Sequence, residues 1–224
     1  VSVRWRDVRA VLFDLDGTLL DTAPDLGHAA NLLRQRRGLP PLPLARYRPH
    51  ASSGARGMLA IALGLQPGDD GFEAARAEYL AVYEEVMLRA TAPFEGVLPL
   101  VQALDAAGLP WGVVTNKVER FALPIAARVE PLPRAAVVIG GDTTPHAKPH
   151  PAPLLEAARR LGLEPAACLY VGDDERDIVA GRAAGMRTVA ARYGYLGHAA
   201  DVATWGADAH IDHPQQLLNF LELP

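Results

Sequence analysis

Short apolar runs recur along this chain, at residues 11–13, 111–114, 135–139, 168–171 and 188–191. Most lack polar alternation, which marks a strand buried on both faces, as in the centre of a parallel sheet. Helical patterns lie between them. Leu98, Val101, Leu104 and Ala107 share a helical face that Gly108 closes; Leu154, Leu155, Ala158 and Leu161 repeat the pattern before Gly162. A third such stretch, 178–184, stops at Gly185. Strand alternating with helix predicts an α/β fold with a doubly wound, Rossmann-like parallel sheet. Half of the 224 residues are hydrophobic, enough to bury a sizeable core.

One block breaks the alternation. Residues 21–92 contain no convincing strand. Asp21 or Thr22 is placed to cap a helix with Pro24 in its first turn, a face of Leu26, Ala29, Ala30 and Leu33, and a stop at Gly38. A proline-rich link follows (Pro40, Pro41, Pro43, Pro49), then helical stretches over 55–63 and 72–87. The block reads as a helical cap over 21–92, inserted into a core made of 1–20 and 93–224.

Net charge of −4 and a pI near 6.0 leave no basic footprint for nucleic acid. No apolar stretch is long enough to span a membrane, and Val1-Ser2-Val3-Arg4-Trp5-Arg6 lacks a signal-peptide pattern. The lone cysteine, Cys168, forms no internal disulfide and reads as a small buried hydrophobe. The expectation is a cytoplasmic protein without nucleic-acid or membrane partners, monomeric or a weak homodimer.

In open α/β sheets, sites form beyond the carboxyl ends of the strands. The first run ends in Asp14 and Asp16, one residue apart, followed by Gly17. The second ends in Thr115-Asn116-Lys117, and the third in Gly140-Gly141-Asp142, with Lys148 shortly after. The fourth ends in Gly172-Asp173-Asp174, with Asp177 a turn later. Adjacent acids repel and need a cation, a shared proton, or both. Several carboxylates, a hydroxyl and one or two lysines on one rim suit magnesium and a phosphoryl group. The histidines at 146, 150, 198, 210 and 213 have no metal-ligand spacing.

These segments resemble the four motifs of the haloacid dehalogenase superfamily, in order and over nearly the whole chain. Asp14-Leu15-Asp16-Gly17-Thr18 is similar to the first, Thr115 to the second, Lys148 to the third, and Asp173 to Asp177 to the fourth. The helical insert resembles the cap of the phosphoglycolate phosphatase branch. The resemblance implies that Asp14 attacks phosphorus and forms an aspartyl-phosphate, while Asp16 protonates the leaving alcohol and then activates water. It implies magnesium held by Asp14, the backbone carbonyl of Asp16, and Asp173, with Asp174 or Asp177 as outer or alternate acids. Thr115 and the Asn116 backbone bind phosphate, Lys148 balances charge, and Gly17 lets backbone N–H groups approach. A dehalogenase needs no acid at position 16, so Asp16 speaks for a phosphatase over that relative. A phosphomutase of the same superfamily keeps both acids.

Specificity falls to the cap, where Ala51-Ser52-Ser53-Gly54-Ala55-Arg56-Gly57 offers small residues and an arginine for a substrate carboxylate. Longer stretches, including Asp21-Thr22-Ala23-Pro24-Asp25 and Arg192-Tyr193-Gly194-Tyr195, resemble phosphatases of N-acetylmuramic acid 6-phosphate in peptidoglycan recycling. 2-Phosphoglycolate is the second substrate implied. Gly141-Asp142-Thr143-Thr144-Pro145-His146 departs from the expected approach to the third motif.

Overall fold

A computed structural model describes residues 4–196 and 201–223, so Val1, Ser2, Val3 and His198 lie outside the described residues. The strands are β1 (Ala10–Phe13), β2 (Leu20–Asp21), β3 (Ala92–Pro93), β4 (Trp111–Val114), β5 (Val137–Ile139), β6 (Cys168–Gly172), β7 (Arg187–Ala191) and β8 (Ala209–Ile211). The helices are α1 (Ala23–Arg36), α2 (Leu44–Tyr47), α3 (Gly54–Leu63), α4 (Phe72–Val86), α5 (Val97–Ala106), α6 (Glu119–Ala126), α7 (Ala152–Leu161) and α8 (Glu175–Ala183). Six strands form one sheet in the order β5-β4-β1-β6-β7-β8, with every pairing parallel.

The sheet is covered on both faces, which explains the unbroken apolar runs. Successive side chains point to opposite faces. Val11 and Phe13 enter one core with Val113, Leu169 and Val171, whereas Ala10 and Leu12 enter another with Ile139, Tyr170 and Leu154. The expected face of α5 holds at Val101 and Leu104 but not at Leu98. Val97, Leu100, Val101 and Leu104 are buried, the i, i+3, i+4, i+7 positions of one face, and Leu98 lies outside that face and is exposed. In α7, Leu155 is likewise exposed while Leu154, Ala157 and Ala158 pack inward. Cys168 is buried.

Between β2 and β3 the chain is helical, and those two strands pair antiparallel, Leu20 with Pro93 and Asp21 with Ala92. This small stem joins the ends of the helical block beside the end of β1. Asp25, fully buried in α1, accepts hydrogen bonds from the N–H groups of Ala90 and Thr91 and from the Thr91 hydroxyl. It thus ties the entry of the block to its exit. Thr22 occupies the N-cap of α1, but its side chain does not cap the helix; it turns to Asp16. Among the described residues no helix is long and apolar enough to cross a membrane.

Candidate active site

β1 is flanked by β4 on one side and β6 on the other, so the carboxyl ends of these three strands meet where the winding reverses. Asp14 follows β1, Thr115 follows β4 and Asp173 follows β6. One oxygen from each of Asp14, Asp173 and Asp177 lies within 4.8 Å of the others.

Lys148 completes this cluster. Its Nζ lies 2.9 Å from Asp14 Oδ1, 2.7 Å from Asp177 Oδ1 and 2.7 Å from the Tyr170 hydroxyl. Tyr170 in turn donates to the Val114 carbonyl at 2.8 Å. The ammonium's three donors are shared among four acceptors, the fourth being the Val114 carbonyl at 3.0 Å. Burial works to lower its pKa, but Asp14 and Asp177 outweigh that effect and hold it above its ordinary value. Asn116 fixes the loop that delivers Lys148: its amide donates to the Lys148 carbonyl and accepts from the Lys148 N–H, each at 2.9 Å.

Burial dominates the acids as well. It pushes Asp14 up to about 7; Lys148 opposes this, and Asp177 and Asp16 add to it. Burial, then Asp14 and Asp177, raise Asp173 well above the carboxylate range. The protein's own cations therefore leave this cluster short of positive charge. Hard oxygen donors, close convergence and that deficit fit a divalent cation such as magnesium.

Asp173 is held by the Thr18 hydroxyl at 2.9 Å and the Tyr195 N–H at 2.8 Å. Two glycines make room for it. Gly17 sits at φ +91°, and a Cβ there would lie 2.2 Å from Asp173 Oδ2. A Cβ on Gly194 would lie 2.3 Å from the Asp173 Cβ. Asp174 does not face the cluster in this way: its carboxylate caps α8 by accepting the Arg176 N–H and forks the Arg176 guanidinium. Of the two acids left open by the sequence, Asp177 joins Asp14 and Asp173.

Asp16 stands apart from these acids. Its Oδ1 accepts the Thr22 hydroxyl at 2.5 Å and lies 3.2 Å from Lys117 Nζ. Lys117 also donates to the Tyr83 hydroxyl at 3.0 Å, from α4. Burial works to lower Lys117, yet Asp16 and Tyr83 raise it above its ordinary value. Thr115 Oγ1 accepts the Lys117 N–H at 3.1 Å, which leaves its own proton to donate.

Asp14, Asp16, Thr115, Asn116, Lys117, Lys148 and Asp177 border a cavity of about 430 Å³ between the sheet edge and the helical block. Arg56 lines it from the first turn of α3, and Arg76, Tyr79, Leu80 and Tyr83 line it from α4. Arg176 spans the two sides, donating to the Ser52 carbonyl at 2.9 Å. Sequence reading missed Thr18, Thr22, Gly194 and Tyr195. The spacing of Tyr193-Gly194-Tyr195 just after a strand end was the available signal for the last two.

A model of the haloacid dehalogenase-like hydrolase family matches residues 8–185. The chain is 45% identical over 215 residues to N-acetylmuramic acid 6-phosphate phosphatase of Pseudomonas aeruginosa, covering 96% of this chain and 95% of that one. It is 48% identical over 209 residues to a phosphoglycolate phosphatase of Xanthomonas campestris, covering 93% and 94%. A Haemophilus somnus crystal structure, described as a predicted phosphoglycolate phosphatase, superposes with a TM-score of 0.83 at 28% identity, covering 95% and 97%. With the acids, the lysine and the strand ends arranged as they are, these matches establish that the chain belongs to the haloacid dehalogenase-like hydrolases.

Proposed function

We propose that this phosphatase hydrolyses N-acetylmuramic acid 6-phosphate through an aspartyl-phosphate on Asp14, with residues 1–20 and 93–224 as catalytic core and 21–92 as cap. The observation that carries the chemistry is the meeting of Asp14, Asp173 and Asp177 oxygens within 4.8 Å, with Lys148 bridging two of them. Lys148 and the Leu15 N–H, 2.7 Å from Oδ1, fix the Asp14 carboxylate for in-line attack on phosphorus. Thr115 donates its hydroxyl proton to a phosphate oxygen, and backbone N–H groups at Asn116 and Gly17 supply further donors.

Asp16 protonates the leaving alcohol and later removes a proton from the attacking water. Thr22 and Lys117 both hold Oδ1, which leaves Oδ2 to carry that proton. Asp14, Asp173 and the Asp16 carbonyl, with Asp177 beside them, would hold magnesium, which would supply charge to offset phosphate facing carboxylate. Asp177 holds Lys148 in place against the nucleophile.

Cavity size supports the larger substrate. A volume of about 430 Å³ falls in the range of roughly 300–1,000 Å³ that takes a drug-sized ligand. A two-carbon acid phosphate fills little of it. The lone buried cysteine accords with a cytoplasmic setting. The test is magnesium-dependent phosphate release from N-acetylmuramic acid 6-phosphate, 2-phosphoglycolate and simple hexose phosphates, compared by kcat/KM. The expected order puts the muramic acid derivative first. A clear preference for 2-phosphoglycolate would reject that substrate and leave the phosphatase chemistry standing.

A further inference from the structure

The cavity has a direction. On α4, Arg76, Tyr79, Leu80 and Tyr83 all line it, the spacing of one helical face. Tyr83 marks the reacting end, because its hydroxyl meets Lys117, which pairs with Asp16. Arg76 lies seven residues back, about 10 Å along the helix at 1.5 Å per residue. Side chains on a helix all lean toward its N-terminus, so the two stems shift together and keep that offset.

Between those two positions the wall is aromatic. Tyr79 and Tyr83 stack with ring centroids 6.2 Å apart, and Phe121 meets Tyr83 edge-on at 5.4 Å. The only ion pair recorded for Arg76 among the described residues is with Glu73 at 3.5 Å, with half or more of each side chain exposed. Such a pair holds a guanidinium weakly. A weakly held arginine at the far end of an aromatic stretch of wall is suited to a planar anion.

Resting on the phosphatase reading above, we infer that Arg76 is a specificity residue that takes a carboxylate carried about 10 Å from the reacting phosphate. The substrate class is then a sugar-sized phosphomonoester bearing a carboxylate arm. In 2-phosphoglycolate three bonds separate phosphorus from the carboxyl carbon, under about 5 Å at ~1.5 Å each. That molecule does not span the distance.

The experiment compares N-acetylmuramic acid 6-phosphate with N-acetylglucosamine 6-phosphate, which lacks only the lactyl arm. It uses the full chain with magnesium and the variants Arg76→Ala, Arg76→Lys and Arg56→Ala. The wild type is expected to favour the carboxylate-bearing sugar at least tenfold in kcat/KM. Arg76→Ala lowers that ratio about tenfold, mainly through KM, and Arg76→Lys recovers part of it. An unchanged ratio in Arg76→Ala, or a loss confined to Arg56→Ala, overturns the inference. Equal wild-type rates on the two sugars overturn it too, while leaving the phosphatase reading intact. Failure to hydrolyse either sugar or 2-phosphoglycolate removes that reading and the inference with it.

Discussion

Thr22 shows how one side chain is diverted from structure to chemistry. It stands at the N-cap of α1, where a threonine hydroxyl commonly accepts a helix N–H for about 1 kcal/mol. Here it donates to Asp16 instead, at 2.5 Å, while its N–H donates to the Tyr195 hydroxyl at 2.7 Å. If this bond orients the proton-transfer group, Thr22→Val lowers kcat about tenfold with KM little changed, and Thr22→Ser restores most of it. A loss of thermal stability with full kcat would show the contact to be structural only. Removing the acid itself in Asp16→Asn costs on the order of 10²–10⁴ in kcat. Gly17 makes the complementary case. A methyl there meets Asp173 Oδ2 at 2.2 Å and sits at φ +91°, so Gly17→Ala must displace the acid or the turn. Magnesium titration of activity is expected to show apparent affinity weakened at least tenfold; wild-type magnesium dependence would show that the loop yields freely.

At the scale of elements, the sequence was most legible where apolar pattern and punctuation agree. The runs at 111–114 and 168–171 mark β4 and β6 to within a residue, and 55–63 and 72–87 mark α3 and α4. β8 was not legible: it has three residues with His210 in the middle, and its pairing with β7 is a tertiary fact. The β2–β3 stem is two residues on each side, shorter than any periodicity can show. The site followed the same rule. Residues at strand ends could be read along the chain, but the turn of the Thr22 hydroxyl from the N-cap of α1 to Asp16 carries no local signature. Asp25 was equally silent, yet its carboxylate gathers the Ala90 and Thr91 donors, joining the two ends of the helical block. Asp25→Ala leaves buried donors unmatched at ~1–3 kcal/mol each. The expected result is a thermal midpoint lower by several degrees, at about 2–4 °C per kcal/mol for a chain of this size. A shift below one degree would mean that water replaces the carboxylate without cost.

For the molecule as a whole, the acid cluster sets how stability depends on pH and metal. Burial pushes Asp14 up to about 7 and raises Asp173 well above the ordinary carboxylate value near 3.8. Between these limits the folded chain binds more protons than the unfolded chain. Stability without metal therefore falls as pH rises through that window, with the part due to Asp14 complete above about 7. A divalent cation binds the ionised carboxylates and opposes this loss, so its stabilising effect grows with pH. Thermal unfolding of the metal-free chain is expected to show a lower midpoint at about pH 7.5 than at about pH 5. Saturating magnesium should raise the midpoint more at the higher pH, and Asp14→Asn should flatten both dependences. A metal-free midpoint that climbs across this window, or a magnesium shift equal at both pH values, would place the stabilising charge elsewhere. The same cluster makes the metal-free fold costly and the loaded site reactive, since the acids that repel one another are those that hold the cation against phosphate.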